Sequence, residues 1–575
     1  MPILNWIGKD AVVNHDKDVS FRLLKKNKSK SIGDSENLIV EGDNLEALKS
    51  LLPYYQNKIK CIYIDPPYNT GNTSWEYNDN SNSPKIKKWL GTIVDSDDLT
   101  RHDKWLCMMY PRLKLLKNLL RDDGAIFISI DDAEQSNLRQ IADEIFIQDN
   151  FIANIIWQKK HTSSNDAKFI SDNHDFILLY AKDIKKLNIR FKKRTKEQEE
   201  IYKNPDNDSR GLWTSSPIQA KTPNPKDIYT ITTPSGRKVN PPNGTSWRFS
   251  EKRFEELLSE NRIWFGELGN NVPRFKRFLT EVQEGVIDKT IWLRDEVGDN
   301  QEAKTELKKI IPSETFATPK PVRLMKKIIN MVSSGNDIIL DSFAGSGTTG
   351  HAVLELNNED KGNRQFILVE LESKICKNIT SQRIKKIIKG YSFKGTDSDV
   401  IYKRKLSVTD LRNMEDVFND IDDVKTENKI FQRFKLQLKN GTLQLIGEND
   451  SSSRKEGLDG GFQYAVLDKK LFNSDGRLNE TCTFDELASY IFFTETKTIL
   501  DTKKIDKTRI DTFNDMEFHL IFDGIGKNKL DRKFLTNLDK QKTKIIYADK
   551  CTVDDSVLKK YNVIFKQIPY EVREF

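Results

Sequence analysis

Short apolar runs alternate with amphipathic stretches over residues 37–183, which is the pattern of strands and helices that follow one another along a sheet. The apolar runs predict strands at 38–40, 60–64, 125–130, 151–157 and 175–180, the last two as a possible antiparallel pair. The amphipathic stretches predict helices at 45–52, 105–120 and 132–146. Continuously apolar strands between helices indicate a sheet that is covered on both faces.

The same pattern resumes over 312–394. A helix is predicted at 322–332, followed by a strand that ends at Asp341, a helix that includes 351–356, a strand that ends at Glu370 and a basic helix that reaches about residue 389. One α/β sheet is therefore predicted from two separated stretches of chain. Ligands bind such sheets at the carboxyl ends of neighbouring strands.

Three further regions complete the predicted organisation. Residues 1–36 form an N-terminal extension, and 184–311 form an insertion rich in Pro, Gly, Asn and charged side chains, with a strand at 227–232. Residues 395–575 predict a small C-terminal α/β or α+β domain. Its predicted elements are strands at 517–522, 544–547 and 561–566, a helix at 484–493 and a flexible loop at 449–461.

Composition excludes several classes of protein. The 575 residues are 37% hydrophobic and 31% charged, which predicts a soluble globular protein. No apolar run approaches the ~18 residues of a membrane span, and the first residues lack a signal-peptide pattern, so we expect a cytoplasmic protein. Five dispersed cysteines and six histidines show no metal-ligand spacing, and no metal is expected.

Asp65-Pro66-Pro67-Tyr68, directly after the apolar run 59–64, carries the most specific chemistry. The Asp65 carboxylate and a carbonyl of the rigid Pro-Pro turn could accept the two hydrogens of an amine, while Tyr68 offers a flat face for a base. The nitrogen lone pair would then face an incoming methyl group. Asp-Pro-Pro after a strand is also an ordinary turn, and the tetrapeptide alone leaves both interpretations open.

A second motif, residues 341–350, has the order strand, glycine turn, helix that lets backbone approach a nucleotide-like ligand. No Lys follows its last glycine, so it is not a phosphate-binding P-loop. Asp341 would repel a pyrophosphate but could hold an ammonium group, which favours S-adenosylmethionine. Glu370, about 20 residues beyond, stands where an acid grips ribose hydroxyls in Rossmann-like folds.

The two motifs together resemble amino-directed DNA methyltransferases. Their order, with the catalytic motif about 275 residues before the cofactor motif, matches the circularly permuted β group. Residues 64–71, 316–321, 38–48 and 486–495 resemble the modification subunits of type III restriction-modification systems. The resemblance implies a Rossmann-like S-adenosylmethionine-dependent methyltransferase sheet in two parts, 37–183 and 312–394, around a target-recognition domain at 184–311. It implies a dimerisation or partner-docking role for 395–575.

The resemblance also implies roles for single residues. Asp65, Pro66, Pro67 and Tyr68 would be catalytic. The cofactor would be held by a larger set, in which Glu372 is an alternative to Glu370: Asp43, Asn44, Thr318, Lys320, Asp341, Phe343, Gly345, Gly347, Thr348 and Glu370. An Asp at the head of the catalytic motif favours adenine N6 over cytosine N4 in this family.

Double-stranded DNA is the expected substrate. Residues 185–196 hold seven basic side chains and no acid, which indicates either a solvated face or phosphate contacts. The predicted DNA contacts are Lys192, Lys193, Arg194, Arg210, Arg248, Arg274, Lys276 and Arg277. The aromatic residues of the insertion are expected to form a small core rather than to stack on bases.

The sequence leaves open adenine N6 methylation, cytosine N4 methylation, and a specificity subunit that only binds DNA. The recognition-sized insertion disfavours methylation of RNA or protein, which the catalytic motif alone does not exclude. No Walker-type nucleotide loop occurs, so ATPase and nuclease activities would belong to a separate restriction subunit. A homodimer is also expected from the resemblance.

Overall fold

The computed structural model describes residues 4–70, 101–163, 167–192, 194–282, 285–313, 316–439, 441–473, 477–496 and 498–571. Within this part of the chain, no helix is both long and apolar enough to cross a membrane. The chain forms two compact units, one of residues 1–188 and 290–575 and a second of residues 189–289.

A mixed ten-stranded sheet organises the first unit and confirms the predicted α/β class. In spatial order its strands are Phe21–Lys26, Gln463–Phe472, Leu38–Glu41, Gln365–Glu370, Ile338–Asp341, Ile59–Ile64, Leu120–Ile130, His174–Ala181, Phe151–Gln158 and Ile291–Trp292. Six consecutive strands, from Gln463–Phe472 to Leu120–Ile130, run parallel. The predicted antiparallel pair at 151–157 and 175–180 is confirmed.

Helices cover this sheet in two groups, as the continuously buried strand Ile59–Ile64 requires. One group contains Asn44–Tyr55, Arg101–Leu119 and Gln135–Phe146, and the other contains Val322–Val332, Thr348–Asp360 and Ser381–Lys389. The remaining helices of the first unit up to residue 389 are short, apart from Asn300–Ile310: Lys9–Val12, His15–Asp18, Gln148–Asn150, Arg294–Val297, Ser373–Ile375 and Cys376–Thr380.

The N-terminal and C-terminal regions are part of the same sheet, which the sequence did not predict. Strand Gln463–Phe472 pairs with both Leu38–Glu41 and Phe21–Lys26. Helix Phe484–Thr496 packs into the main core, where the ring of Phe493 lies 4.6 Å from that of Tyr54. Strand Gln463–Phe472 and helix Phe484–Thr496 are therefore part of the main sheet and core of the first unit.

Two smaller sheets complete the C-terminal region. The first is a ribbon of Tyr391–Lys405, Thr442–Lys455 and Arg433–Lys439, with helices Val408–Arg412 and Met414–Glu427 beside it. The prediction of a flexible loop at 449–461 is thus wrong for residues 449–455, which belong to strand Thr442–Lys455. The second sheet contains Arg509–Phe513, Met516–Leu520, Thr543–Ala548 and Val563–Gln567. Helices Arg532–Thr536 and Asp555–Lys560, turn Thr502–Lys504 and paired strands Lys529–Leu530 and Lys550–Cys551 accompany it.

The second unit, residues 189–289, is shorter than the insertion predicted at 184–311. Strand Ile291–Trp292 and helix Asn300–Ile310 belong to the first unit. The longest elements of the second unit are helix Glu251–Ser259 and strands Trp213–Pro217 and Arg274–Phe278. Its short elements are Lys196–Glu200, Gln219–Ala220, Pro225–Asp227, Ile231–Thr232, Lys238–Val239, Ser246–Trp247 and Ile263–Trp264. Buried Trp247, Phe254 and Phe265 confirm the expected small aromatic core.

The position of Lys276 does not fit its predicted role as a DNA contact. Its side chain is fully buried, and its ammonium group donates to Asp206 and, at 3.3 Å, to Asp208. The Arg210 guanidinium beside Asp208 holds the pKa of that carboxyl well below its usual range. Lys276 is therefore an internal ion-pair partner of the second unit, because a buried ammonium group must be paired.

We expect Lys276→Ala to destabilise the second unit by about 3–5 kcal/mol, because it leaves two carboxylates without their buried cation. Hydrogen–deuterium exchange over 189–289 of the full chain measures this effect. Arg277→Ala, which removes the exposed neighbouring side chain on the same strand, should change stability by less than about 0.5 kcal/mol. Equal exchange in the two variants would contradict a structural role for Lys276.

Ala465→Pro should destabilise the ten-stranded sheet by about 1–3 kcal/mol, because Ala465 pairs with Lys26 on one side and Val40 on the other and proline removes a ladder donor. Ser452→Pro removes a hydrogen-bonding position in the separate ribbon, where Ser452 pairs with Lys394, and should act locally. Hydrogen exchange in 38–41 and 365–370 distinguishes the two effects. Protection that survives Ala465→Pro would show that the C-terminal strand is dispensable.

Candidate active site

The two predicted motifs lie side by side at the carboxyl edge of the sheet. Strand Ile59–Ile64 pairs in parallel with Ile338–Asp341, so Asp65 and Asp341 leave the sheet at the same edge. Both carboxylates line one cleft with Phe343, Gly345 and Thr318. The meeting of two loops that are far apart in sequence is what the motif order predicts.

Both carboxylate oxygens of Asp65 are contacted by protein donors. The Tyr68 hydroxyl donates to Oδ1 at 2.8 Å, and the Lys320 ammonium group donates to Oδ2 at 2.5 Å. Lys320 is buried and also lies 5.3 Å from the centre of the Tyr68 ring. A carboxylate oxygen has a second lone pair, so these contacts orient Asp65 and leave capacity for a further donor. Lys320 thus contacts Asp65 as well as lining the cleft.

Buried partners fix the Pro-Pro turn in place. The Trp105 indole N–H donates to the Pro67 carbonyl at 2.6 Å. Asn69, which has a left-handed φ of 60°, donates its side-chain amide to Glu134 and to the Arg101 carbonyl. The turn is therefore held from both sides, which suits a site whose acceptor atoms must be positioned in advance.

A second carboxylate, which sequence reasoning missed, lies behind Tyr68. Asp175 Oδ2 is 3.4 Å from the Tyr68 hydroxyl, and its Oδ1 accepts from Lys159 at 2.7 Å. Burial raises the pKa of Asp175, and burial next to Asp175 and Asp65 raises that of Tyr68 well above its usual value. Tyr68 is therefore a neutral donor. The available sequence signal was an acid at the start of an apolar strand.

Asp341 is the buried acid of the glycine loop, residues 342–350. Its carboxylate accepts from the Phe343 backbone N–H at 3.0 Å and from the Thr349 hydroxyl at 2.5 Å. Burial raises the pKa of Asp341 to about 7. Gly345 and Gly347 have left-handed φ values of 48° and 76°, which admit glycine readily.

Glu370 supports this loop directly. One of its oxygens accepts from the Gly345 N–H and the other from the Glu372 N–H, each at 2.8 Å. The predicted ribose-binding acid therefore also sets the path of the glycine loop. Glu372 supplies a backbone N–H to this arrangement.

Arg383 was not predicted and lies fully buried beneath the same loop. It donates to the hydroxyls of Ser346 at 3.1 Å and Thr348 at 2.8 Å. Burial lowers its pKa to about 10. Thr348 begins helix Thr348–Asp360, so Arg383 adds positive charge near a helix N-terminus that already favours anions.

Asp43 and Asn44 begin helix Asn44–Tyr55 on the other side of the cleft. The Asp43 carboxylate caps this helix by accepting from the Leu45 and Glu46 N–H groups. Asn44 donates to the Ser342 carbonyl at 3.4 Å, and buried Arg112 donates to the Asn44 side chain at 2.5 Å. Asn44 therefore reaches the glycine loop.

The cleft suits a ligand that carries an amino-acid group. Buried Asp341 can accept from an ammonium group, while the N-terminus of Thr348–Asp360 favours a carboxylate. Phe343 and Met325 provide apolar walls. Asp65, at the other side of the same cleft, supplies an acceptor for an amine.

The predicted DNA contacts in the second unit have different environments. Arg210 is paired with Asp208 at 2.7 Å, and Arg274 donates to the Ser215 hydroxyl at 2.8 Å. Lys193 lies outside the described residues. The other candidates apart from Lys276 are exposed or half-buried: Lys192, Arg194, Arg248 and Arg277.

Similarity to known proteins agrees with this geometry. Residues 59–382, more than half of the chain, match the model of a family described as DNA methylase. The StyLTI Mod subunit of a type III restriction-modification enzyme from Salmonella typhimurium is 34% identical over 66% of this chain and 60% of its own length. The EcoP15I Mod subunit from Escherichia coli is 31% identical over 64% of each chain. The chain thus spans less than two thirds of these two relatives.

Other relatives differ in type. The type II methyltransferase M.KpnI of Klebsiella pneumoniae is 31% identical over 60% of this chain and 83% of its own length. A solved structure of PvuII DNA methyltransferase, described as cytosine-N4-specific, is 13% identical over 60% of this chain and 86% of that one, with a TM-score of 0.32. From the family match and the paired motifs, the chain belongs to the DNA methylase family.

Proposed function

We propose that this chain transfers a methyl group from S-adenosylmethionine to the N6 amine of an adenine in duplex DNA. The observation that carries the proposal is that Asp65, at the head of the catalytic tetrapeptide, and Asp341 line one cleft. The relatives named Mod subunits favour a modification subunit of a type III restriction-modification system.

The residues of the cleft fit the proposed cofactor. Asp341 would accept from the cofactor's ammonium group, and the N-terminus of Thr348–Asp360 would face its carboxylate. Phe343 would pack against it, and Glu370 would accept from its ribose hydroxyls with the lone pairs that the backbone leaves available. When bound, the cofactor supplies an electrophilic methyl group.

On the acceptor side, Asp65 would accept one hydrogen of the adenine amine and the Pro66 carbonyl the other. Tyr68 would stack on the base, which must leave the duplex at a cost of about a few kcal/mol. Orientation of the amine, rather than its full deprotonation, supplies most of the rate acceleration in this proposal. The Lys320 ammonium group, which donates to Asp65 Oδ2, holds the Asp65 carboxylate in place at the cleft.

The proposal also covers the binding partners and the cellular location of this chain. The StyLTI and EcoP15I relatives are named as Mod subunits of type III restriction-modification enzymes, which supports assembly of this chain with a separate restriction subunit. A homodimer and a cytoplasmic setting, where the DNA lies, follow from the proposed role. Cytosine N4 methylation uses the same two-acceptor arrangement, and a specificity subunit would bind DNA without methylating it.

The protein incubated alone with S-adenosylmethionine and duplex DNA should yield N6-methyladenine on mass spectrometry of the digested nucleosides. Asp65→Asn should reduce the rate by about a thousandfold or more, because the amide cannot replace the anionic acceptor. Binding of cofactor and DNA should be retained. N4-methylcytosine would favour the second reaction, and DNA binding without any methylated product would favour a specificity subunit.

Cofactor binding should strengthen as pH rises through about 7, because the buried Asp341 must lose its proton to hold an ammonium group. Its raised pKa means that the protonated acid prevails in the free protein below that value. We expect the dissociation constant to fall roughly five- to tenfold between pH 6 and pH 7.5. Asp341→Asn should bind weakly at every pH. Titration calorimetry measures both, and a flat profile for the wild-type protein would contradict this role.

A further inference from the structure

An unassigned loop, residues 159–173, leaves the sheet beside the catalytic tetrapeptide. It joins strands Phe151–Gln158 and His174–Ala181, whose ends pair at Gln158 and His174. Ile130, the last residue of Leu120–Ile130, pairs with Phe176. The described residues at both ends of the loop, 159–163 and 167–173, therefore leave the sheet at the same edge as Asp65, on the side away from the cofactor strands.

The described part of this loop carries two strongly exposed apolar side chains. Phe169 is 88% exposed and Ile170 is 90% exposed, which are the highest values for large apolar side chains among the described residues. Single exposed apolar residues are common, but two adjacent ones that protrude beside a catalytic cleft mark a binding surface. Basic side chains accompany them: Lys168 lies 5.4 Å from the Phe169 ring, and Lys160 and His161 begin the loop.

The foot of the loop is tied to the catalytic residues. Lys159 donates to Asp172 and to Asp175, each at 2.7 Å. Asp175 lies 3.4 Å from the hydroxyl of Tyr68. The two described ends of the loop are therefore anchored to each other and to the strand that approaches Tyr68, the proposed base-stacking residue.

We propose that Phe169 and Ile170 form a wedge that enters the DNA duplex beside the target base. Their side chains would occupy the stack that the flipped base vacates, while Lys168 approaches the phosphate backbone. DNA-bending proteins insert apolar side chains between base steps in this way and partly unstack them. The inference rests on the proposed DNA methylation. It identifies the duplex, rather than a protein, as the occupant, because Lys168 directly precedes the apolar pair, and Lys160 and His161 lie at the start of the same loop, at the acceptor side of the cleft.

The test compares wild-type protein with the double variant Phe169→Ala/Ile170→Ala on two duplexes that contain the site methylated by the wild type. One duplex is fully paired, and the other has an abasic site opposite the target adenine, which is then already unpaired. We expect methylation of the paired duplex to fall about tenfold or more, and methylation of the abasic duplex to remain within about threefold of wild type. The fluorescence of 2-aminopurine at the target position should increase when wild-type protein binds the duplex, and the double variant should not produce this increase.

Matched controls separate this role from general effects. Val408→Ala/Ile430→Ala removes two other exposed apolar side chains, 69% and 76% exposed, and should leave both rates unchanged. Cofactor affinity should be the same in all variants. Equal rates for wild type and the wedge variant on the paired duplex, or an equal loss on both duplexes, would overturn the wedge while the proposed methylation stands. Absence of methylation by the wild type on any duplex would overturn both.

Discussion

The parallel pairing of Ile59–Ile64 with Ile338–Asp341 is the constraint on which the site depends. It brings Asp65 and Asp341, from motifs at opposite ends of the methylase region, to one cleft. One edge of the sheet can then bind the methyl donor beside one strand and the amine that accepts the methyl group beside the next strand. Separation along the chain is immaterial, because the order of strands in space sets the distance between the two acids.

Bringing acids together in a buried place has an electrostatic cost, and the structure offsets it with lysines. Asp65 and Asp175 flank Tyr68, and each is paired with its own ammonium group, Lys320 and Lys159. Asp341 lies deeper and accepts neutral donors, so burial raises its pKa to about 7. Two acids of the site are thus paired with cations, while the third is free to gain one from a ligand.

The sequence predicted those parts of the molecule that local signals encode. The tetrapeptide at Asp65, the glycine loop after Asp341 and the sheet strands around them have short, specific patterns, and the structure brings them together. Lys276 was misjudged because a lysine on a basic strand gives no local sign that two acids enclose it. Strand Gln463–Phe472 was missed as a member of the main sheet because its pairing is entirely non-local.

Polar ribbons were the other source of error. Residues 449–455 are mostly polar and serine-rich, so they carry none of the apolar alternation that predicts strands, yet they pair with 391–397 along a long ribbon. The aromatic side chains at this end belong to the partner strand, where the rings of Tyr391 and Phe393 lie 6.0 Å apart. Arg383 and Arg112 were missed for the related reason that buried arginines are rare, so an arginine in a helix is ordinarily assigned to the surface.

The Tyr68 hydroxyl lies between Asp65, at the acceptor site, and Asp175, which pairs with Lys159 at the start of the loop at 159–173. It is 2.8 Å from Asp65 and 3.4 Å from Asp175, and it can donate to one of them at a time. When an amine occupies Asp65, the hydroxyl can turn to Asp175 and remain satisfied, so the exchange leaves no buried donor unpaired. Because Lys159 holds both Asp175 and Asp172, the alternative partner of Tyr68 is also the anchor of the loop. Binding of the target amine and placement of the loop therefore act on one hydrogen-bonded unit.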